Sequence, residues 1–164
     1  MVFVRETTTT REGSAVNVSV QSQQVSELTP SEKKAFYRSV HEAAVAAGVA
    51  AGQAVELPQY VAVERANPLD DSSEIVKVYE QPFELCGFAA IQVRGANKGY
   101  GRWVVASGTG KTDSYNGGAL VRVSGFGQSH GRKVSYARAY ADSAQAALQA
   151  AGEDAFVWVW ERLD

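Results

Sequence analysis

The chain has 164 residues, of which 45% are hydrophobic and 21% charged, and its formal net charge is −2. These proportions exclude a wholly disordered or fibrous protein, and the length is that of one ordinary domain with a sizeable core. The longest run of small or apolar residues, from Ala43 to Ala51, is far shorter than the roughly 20 residues needed to cross a bilayer, so no membrane partner is expected.

Two features of the sequence bear on the cellular compartment. Cys86 is the single cysteine, so it has no partner for an internal disulfide. The start MVFVRETTTT lacks the basic and then apolar pattern of a signal peptide. We therefore expect a cytoplasmic location.

The first predicted elements are two strands near the start of the chain. Valines alternate with polar residues in VFVRE and again in AVNVSVQ, as in strands with one buried face. The polar stretch QSQQVSE that follows has no periodicity. We predict an N-terminal hairpin and a polar arm over residues 1–28.

A helix is predicted next, over residues 29–54. Thr29 suits the N-cap, Pro30 the first helical position, and Glu32 the third position of a capping box. Apolar residues then recur every three or four positions, at Phe36, Val40, Ala44 and Ala47.

The segment 59–140 is predicted to be an antiparallel meander. Six stretches in it have the composition of strands, and turn-forming residues separate them. They are residues 60–65, 74–80, 87–94, 101–107, 118–124 and 133–140. Because the later ones are too close in sequence for helical crossovers, we expect antiparallel pairing.

The last segment, residues 142–164, is predicted to hold a second helix and a closing strand. Asp142 suits the N-cap and Gly152 the end of this helix. AFVWVW, residues 155–160, is apolar on both faces and belongs inside a sheet or at an interface. The predicted fold is thus a single α+β domain with an antiparallel sheet of about eight or nine strands and two Ala-rich helices packed on one face.

The stretch SGTGKTDSYNGG, residues 107–118, resembles a phosphate-binding loop only in part. A P-loop has a glycine five positions before its Gly-Lys-Thr, where this chain has Val105, and a helix after it, where this chain has turn residues. We therefore predict no nucleotide P-loop. Asn116-Gly117 instead favours a two-residue hairpin turn that pairs Lys111 with Arg122. The alternative is a bulge at Gly108 or Gly110 that shifts this register.

Charge is distributed unevenly along the chain. Residues 94–138 contain eight Lys and Arg residues against Asp113 alone, whereas residues 1–93 contain seven against twelve acidic residues. Aromatic residues are interspersed with these cations, a combination that suits phosphates and unstacked bases. The candidate phosphate contacts are Arg94, Lys98, Arg102, Lys111, Arg122, Arg132, Lys133 and Arg138. The candidate stacking residues are Tyr100, Tyr115 and Phe126.

From these patterns we predict a non-enzymatic, sequence-independent nucleic-acid-binding protein, for single-stranded DNA or RNA, that acts as a homo-oligomer. No catalytic residue, metal site or cofactor is predicted. Two alternatives remain open: a structural subunit that assembles into a ring or shell without nucleic acid, and a small-ligand-binding module.

Overall fold

The computed structural model describes residues 24–57, 59–82 and 84–164. The predicted hairpin over residues 2–20 lies outside them. Within the described ranges the chain has a short 3-10 helix at Val25–Glu27, three α-helices and six strands. In chain order these are α1 (Pro30–Gln53), β1 (Gln59–Arg65), β2 (Ile75–Pro82), β3 (Gly87–Val93), α2 (Gly99–Ala106), β4 (Lys111–Thr112), β5 (Ala119–Arg122), α3 (His130–Ala150) and β6 (Val157–Leu163).

The first helix, α1, begins as its sequence predicts. The Thr29 hydroxyl accepts a hydrogen bond from the backbone N–H of Glu32 at 3.3 Å, and the Glu32 carboxylate accepts one from the backbone N–H of Thr29 at 2.9 Å. The capping box and the N-terminal proline are therefore confirmed. The buried stripe of α1 is Tyr37, Val40, Ala44, Gly48 and Gly52.

Residues 101–107, predicted as a strand, lie mainly in the helix α2. Tyr100 and Val104 are its buried side chains, one helical turn apart. Trp103, Val104 and Val105 have strand propensity, and eight residues are too few to show a helical period. Packing against the core therefore decides the conformation here.

Residues 133–140, also predicted as a strand, form the first half of α3. This helix starts at His130, where the Ser129 hydroxyl accepts a hydrogen bond from the backbone N–H of Arg132 at 3.4 Å. The predicted start at Asp142 is therefore wrong, whereas Gly152 follows the helix end with a positive φ of 72°. In the sequence, Val134, Tyr136 and Tyr140 alternate with other residues as in a strand, which hides the helical spacing. In the structure, the buried residues of α3 recur every three or four positions: Lys133, Val134, Ala137, Tyr140, Ala141, Ala144 and Leu148.

The six strands form two antiparallel sheets instead of one sheet of eight or nine strands. β1 pairs only with β2, and the other sheet has the order β4-β5-β3-β6. β5 and β6 both run antiparallel to β3, on either side of it, so α3 is the crossover between two strands of the same direction. The predicted continuous meander over residues 59–140 is wrong because α2 and the start of α3 interrupt it.

The register of the predicted hairpin at Asn116-Gly117 is also different. Lys111 pairs with Leu120, and Arg122 pairs with Ala90 of β3. Asp113 closes the longer loop, because its carboxylate accepts hydrogen bonds from the backbone N–H groups of Tyr115 at 2.9 Å and Asn116 at 3.3 Å. Lys111 and Arg122 therefore do not lie opposite each other. The register is shifted, as in the alternative prediction.

The core lies between the helices and one face of the four-stranded sheet. α3 packs on β3 and β6, α2 packs on β4 and β5, and α1 packs mainly on α3. The prediction of two helices on one face is thus only partly right, because α1 forms a further layer over α3. Glycines allow this layer to approach closely: a Cβ on Gly48 would lie 2.8 Å from the Tyr136 ring.

Candidate nucleic-acid interface

The four-stranded sheet has one face without a helix layer in the described part of the chain. Along β3 and β6, odd-numbered residues such as Ile91 and Val157 are buried in the core, so the even-numbered residues lie on the opposite face. We call this second surface the outer face. Its members, from the strand registers, are Phe88, Ala90, Gln92, Arg94, Lys111, Leu120, Arg122, Phe156, Trp158, Trp160 and Arg162.

A row of aromatic side chains follows β6 on the outer face. Phe156, Trp158 and Trp160 alternate with buried or half-buried residues, which places successive rings roughly 6–7 Å apart along the strand. The Phe156 and Trp158 ring centroids are 5.1 Å apart, with their planes inclined by 30°. Phe156 is 49% exposed and Trp160 is 37% exposed. Flat apolar surface is therefore accessible to solvent at two points of this row.

Four cations share the outer face with these rings. The Arg94 guanidinium lies 5.1 Å from the Phe156 ring centroid, and that of Arg162 lies 5.5 Å from the centroid of Phe88. Lys111 and Arg122 are exposed on the two neighbouring strands. In the described ranges, Arg162 is the one member of the four with a carboxylate oxygen within 4.0 Å, that of Asp164 at 4.0 Å. The carboxylates of the described ranges therefore leave most of this positive charge unpaired.

The centre of the outer face is built from small and amide side chains. Ala90 lies between Arg122 and Trp160 in the register, and Gln92 lies between Leu120 and Trp158. These longer neighbours leave Gln92 fully buried although no helix covers it.

Gln92 is held by the loop that follows β4. Its side-chain N–H donates to the Asp113 carboxylate, and its amide oxygen has no hydrogen-bond partner among the described residues. Backbone N–H donation from Tyr115, together with the Asn116 side chain, lowers the pKa of Asp113 below its ordinary value. Asp113 is thus a stable anion that is already committed to loop structure, and it offsets only part of the positive charge.

The eight residues predicted to contact phosphates lie in three parts of the structure: the outer face, the region of α2, and α3. Arg94, Lys111 and Arg122 lie on the outer face. Arg102 is exposed on α2, in the core-side layer. Lys98, at the start of the same helix, lines a cleft with Arg94, Glu153 and Asp154.

The other three predicted cations lie on α3 and have partners. The Nζ of Lys133, only 5% exposed, donates to the carbonyl of Gly87 at 3.1 Å. Arg132 lies 3.8 Å from Glu84, and Arg138 lies 3.3 Å from Glu161. Arg132 and Arg138 are therefore paired with carboxylates and do not join the outer face, whereas the Nζ of Lys133 also lies 5.4 Å from the ring centroid of Phe88, an outer-face residue.

Of the three predicted stacking residues, one is buried in the core and one is half-buried against α1 and α3. Tyr100 is 1% exposed, and its hydroxyl lies 2.8 Å from that of Tyr140 in the core. Phe126 packs against Tyr136, with 6.1 Å between ring centroids. Tyr115, in contrast, is 93% exposed in the loop between β4 and β5. Tyr100 and Phe126 thus leave the candidate set, and Tyr115 stays in it.

The aromatic row and Arg162 were not predicted from the sequence. The signal was present in FVWVW, where aromatic residues alternate with valines. Strict alternation places the two kinds on opposite faces of a strand, so one face had to present two tryptophans and a phenylalanine together. The stretch reads as apolar on both faces only when valine and tryptophan are counted alike.

Comparisons with known proteins add no functional assignment. No protein-family model matches the chain, and no similar protein was found among the curated proteins or the solved structures. Among the helices of the described ranges, none has both the length and the apolar character required to span a membrane. Those ranges also contain no cluster of three or more His, Cys, Asp or Glu residues that could hold a metal ion.

Proposed function

We propose that this protein binds single-stranded nucleic acid, without sequence preference and without catalysis, on the outer face of its four-stranded sheet. The observation that carries the proposal is the exposed aromatic row on β6 together with four cations on the same face of the sheet. Stacking between bases and aromatic rings tolerates any sequence because every base has a flat face, and phosphates need distributed positive charge.

Each part of the surface has a distinct role in this proposal. Bases stack on Trp160 and on the exposed side of Phe156. Trp158 packs against the Phe156 ring and holds it in place. Lys111 and Arg122 bind phosphates on the opposite half of the sheet. Arg94 and Arg162 already lie over phenylalanine rings, and guanidinium groups in that position also stack on bases or pair with phosphates.

The geometry favours a single strand over a duplex. Rings standing on a sheet reach only bases that are unpaired and unstacked, and an exposed sheet with aromatic side chains is one established way of holding them. In a duplex the flat faces of the bases are inaccessible, which leaves only the phosphates as partners. We therefore expect duplex DNA to bind more weakly than a single strand of the same length.

Substitution of Trp160 is the most direct test. We expect Trp160→Ala to weaken binding of a labelled single-stranded oligonucleotide about 5- to 150-fold, since one base stack contributes ~1–3 kcal/mol. Trp160→Phe keeps a ring and should retain most of the affinity. The measurement is fluorescence anisotropy at low salt, with circular dichroism to check that both variants fold. Absence of wild-type binding at low salt, or equal affinity of Trp160→Ala and wild type, would contradict the proposal.

A further inference from the structure

The β1–β2 hairpin is separate from both the core and the proposed binding surface. In the part of the chain that the structure describes, its two strands pair only with each other, and none of their described side chains belongs to the hydrophobic core. Isolated two-stranded hairpins are marginally stable in water, so an additional packing partner is expected for one with apolar side chains.

Cross-strand pairing assigns the side chains of the hairpin to two unlike faces. One face carries Glu64, Lys77 and Tyr79, where the Tyr79 hydroxyl donates to the Glu64 carboxylate at 2.8 Å. The Lys77 ammonium lies 4.6 Å from the centroid of the Tyr79 ring. This polar face is thus satisfied by contacts within the hairpin.

The other face is apolar and exposed. Val61, Val63 and Val78 share it, and their exposed fractions are 59%, 42% and 52%. The register shifts between Glu64 and Arg65, which leaves Val76 unpaired and 60% exposed, and Ile75, 46% exposed, pairs with Arg65 beyond this bulge. We call Val61, Val63, Ile75 and Val78 the aliphatic face. Among the described residues, its members are absent from the hydrophobic core and from the side chains packed against it, so about half of each side chain remains in water.

Two opposite charges lie at opposite ends of the aliphatic face. Arg65 pairs with Ile75 near the connecting loop, and Glu80 pairs with Val61 at the far end. The Arg65 guanidinium donates to the carbonyl of Ser73 at 2.8 Å, and neither charge belongs to an ion pair among the described residues. The face therefore has a positive end, an apolar middle and a negative end.

Such an arrangement is complementary to itself under a two-fold axis. If two hairpins stack face to face and antiparallel, Arg65 meets Glu80 of the partner subunit, and the same contact recurs at the other end. A parallel arrangement would bring like charges together. We propose that the aliphatic face is a self-association surface that packs against the same face of a second copy of this chain.

A second copy fits this surface better than a membrane does. Anionic lipid attracts basic flanks, whereas this hairpin and its loop carry Glu64, Asp70, Asp71, Glu74 and Glu80. Two short strands offer less than the roughly 1,600 Å² that a standard interface buries. We therefore expect a concentration-dependent dimer with a dissociation constant of about 10 µM or higher.

Analytical ultracentrifugation of the full chain over a range of concentrations tests this surface. Val63→Lys places a charge in the aliphatic face and should weaken dimerisation at least ~10-fold. Ala62→Lys adds the same charge to the same strand on the opposite face, and should leave the equilibrium close to that of the wild type. A wild type that stays monomeric up to millimolar concentration, or equal effects of the two variants, would overturn the proposal.

Exchanging the charges of Arg65 and Glu80 tests the antiparallel arrangement. The result does not depend on whether one single substitution disturbs folding. Arg65→Glu and Glu80→Arg should each weaken the dimer, because each places like charges in contact twice. The double variant restores opposite charges and should recover dimerisation. If it does not recover while its circular dichroism matches the wild type, the antiparallel packing is overturned. Nucleic-acid binding plays no part in either readout.

Discussion

Glu153 connects three segments that are far apart in the sequence. Its carboxylate accepts a hydrogen bond from the Tyr37 hydroxyl of α1 at 2.6 Å and another from the backbone N–H of Tyr100 at 2.7 Å. Tyr100 is in the first turn of α2, so the carboxylate also lies at the positive end of that helix. Burial, and then the hydrogen bond to Glu153, raise the pKa of Tyr37 well above its ordinary value.

Removal of this carboxylate should destabilise the protein. We expect Glu153→Ala to lower the free energy of unfolding by about 1–3 kcal/mol, because hydrogen bonds to a charged group are lost and the Tyr37 hydroxyl is left without its acceptor. Urea denaturation followed by circular dichroism measures the change. The exposed neighbour Asp154 provides the control, as Asp154→Ala should have little effect. Equal unfolding midpoints for the two variants would contradict this role of Glu153.

His41 begins a chain of hydrogen bonds that leads into the core. Its Nδ1 lies 2.7 Å from the Tyr140 hydroxyl, which lies 2.8 Å from that of Tyr100. Burial lowers the pKa of His41, although Glu42 acts in the opposite direction. A protonated imidazole can only donate to the Tyr140 oxygen, and the hydroxyl proton of either Tyr140 or Tyr100 is then left without an acceptor among these three groups. The neutral ring is therefore the form that fits.

This lowered pKa predicts a loss of stability in mild acid. Below about pH 6.5 an unfolded histidine takes up a proton while the folded His41 does not, so the free energy of unfolding falls until the pH passes the folded pKa. Carboxylates with lowered pKa values, such as Asp113, lose their contribution only near pH 4. Urea midpoints between pH 7.5 and 5 should fall more steeply for the wild type than for His41→Gln. Identical pH slopes for the wild type and His41→Gln would show that His41 is not the group that causes the loss of stability. His130→Gln, a substitution of the other histidine, is the control variant.

At the scale of elements, the packing of α1 on α3 depends on glycine in α1. Tyr136 of α3 lies against Gly48, and Phe126 lies against Gly52. Ala is the better helix former, but the space that its methyl group needs is occupied by aromatic rings. Conformational propensity and packing therefore act in opposite directions at these two positions.

The same substitution at two glycines should separate these effects. Gly48→Ala should destabilise the protein by about 1–3 kcal/mol, because the added methyl group lies 2.8 Å from Tyr136 and forces the helices apart. Gly131→Ala, in the first turn of α3 with open space around it, should be neutral or stabilise by up to ~1 kcal/mol. Thermal unfolding of both variants gives the comparison. A stabilising Gly48→Ala would contradict the tight helix packing.

The elements that were predictable from the sequence are those with complete local signals. α1 has its cap, its N-terminal proline and a long apolar stripe, and five of the predicted strands correspond to β1, β2, β3, β5 and β6. α2 and the first half of α3 were missed because Trp103, Val104 and Tyr136 have strand propensity and their helical burial depends on distant partners. Pairing of β3 with β6 was also not predictable, since no local pattern specifies strand order.

For the candidate site, only the chemical class of the ligand was predictable from the sequence. The excess of cations over residues 94–138 pointed to phosphates, but strand and helix geometry directs Arg132, Lys133 and Arg138 away from Arg94 and Arg122. The aromatic row became visible once β6 was known to pair with β3 and to have one face in the core. Which side chains share a surface depends on tertiary structure, and composition alone does not contain that information.

At the scale of the whole molecule, the local charge of the outer face matters more than the net charge of −2. For four phosphate contacts on a single strand, the logarithm of the binding constant should fall with the logarithm of the salt concentration with a slope of about −3. Arg122→Gln should reduce that slope by about 0.7. Arg102→Gln removes the same charge from α2 and should leave the slope unchanged. Salt titrations of the three proteins by anisotropy provide the measurement, and equal slopes for both variants would argue for a diffuse electrostatic attraction instead of a site.

The contact between α1 and α3 also constrains how the protein is made. His41 and Tyr140, which meet across these helices, are 99 residues apart in the chain. At ~5–20 residues per second, the ribosome produces the second partner about 5–20 s after the first. During that interval the nascent α1 lacks its main surface for burying Tyr37, Val40, Ala44, Gly48 and Gly52, and most of the stability of a helix in a protein comes from such packing. Final docking of α1 therefore has to wait until α3 has left the exit tunnel.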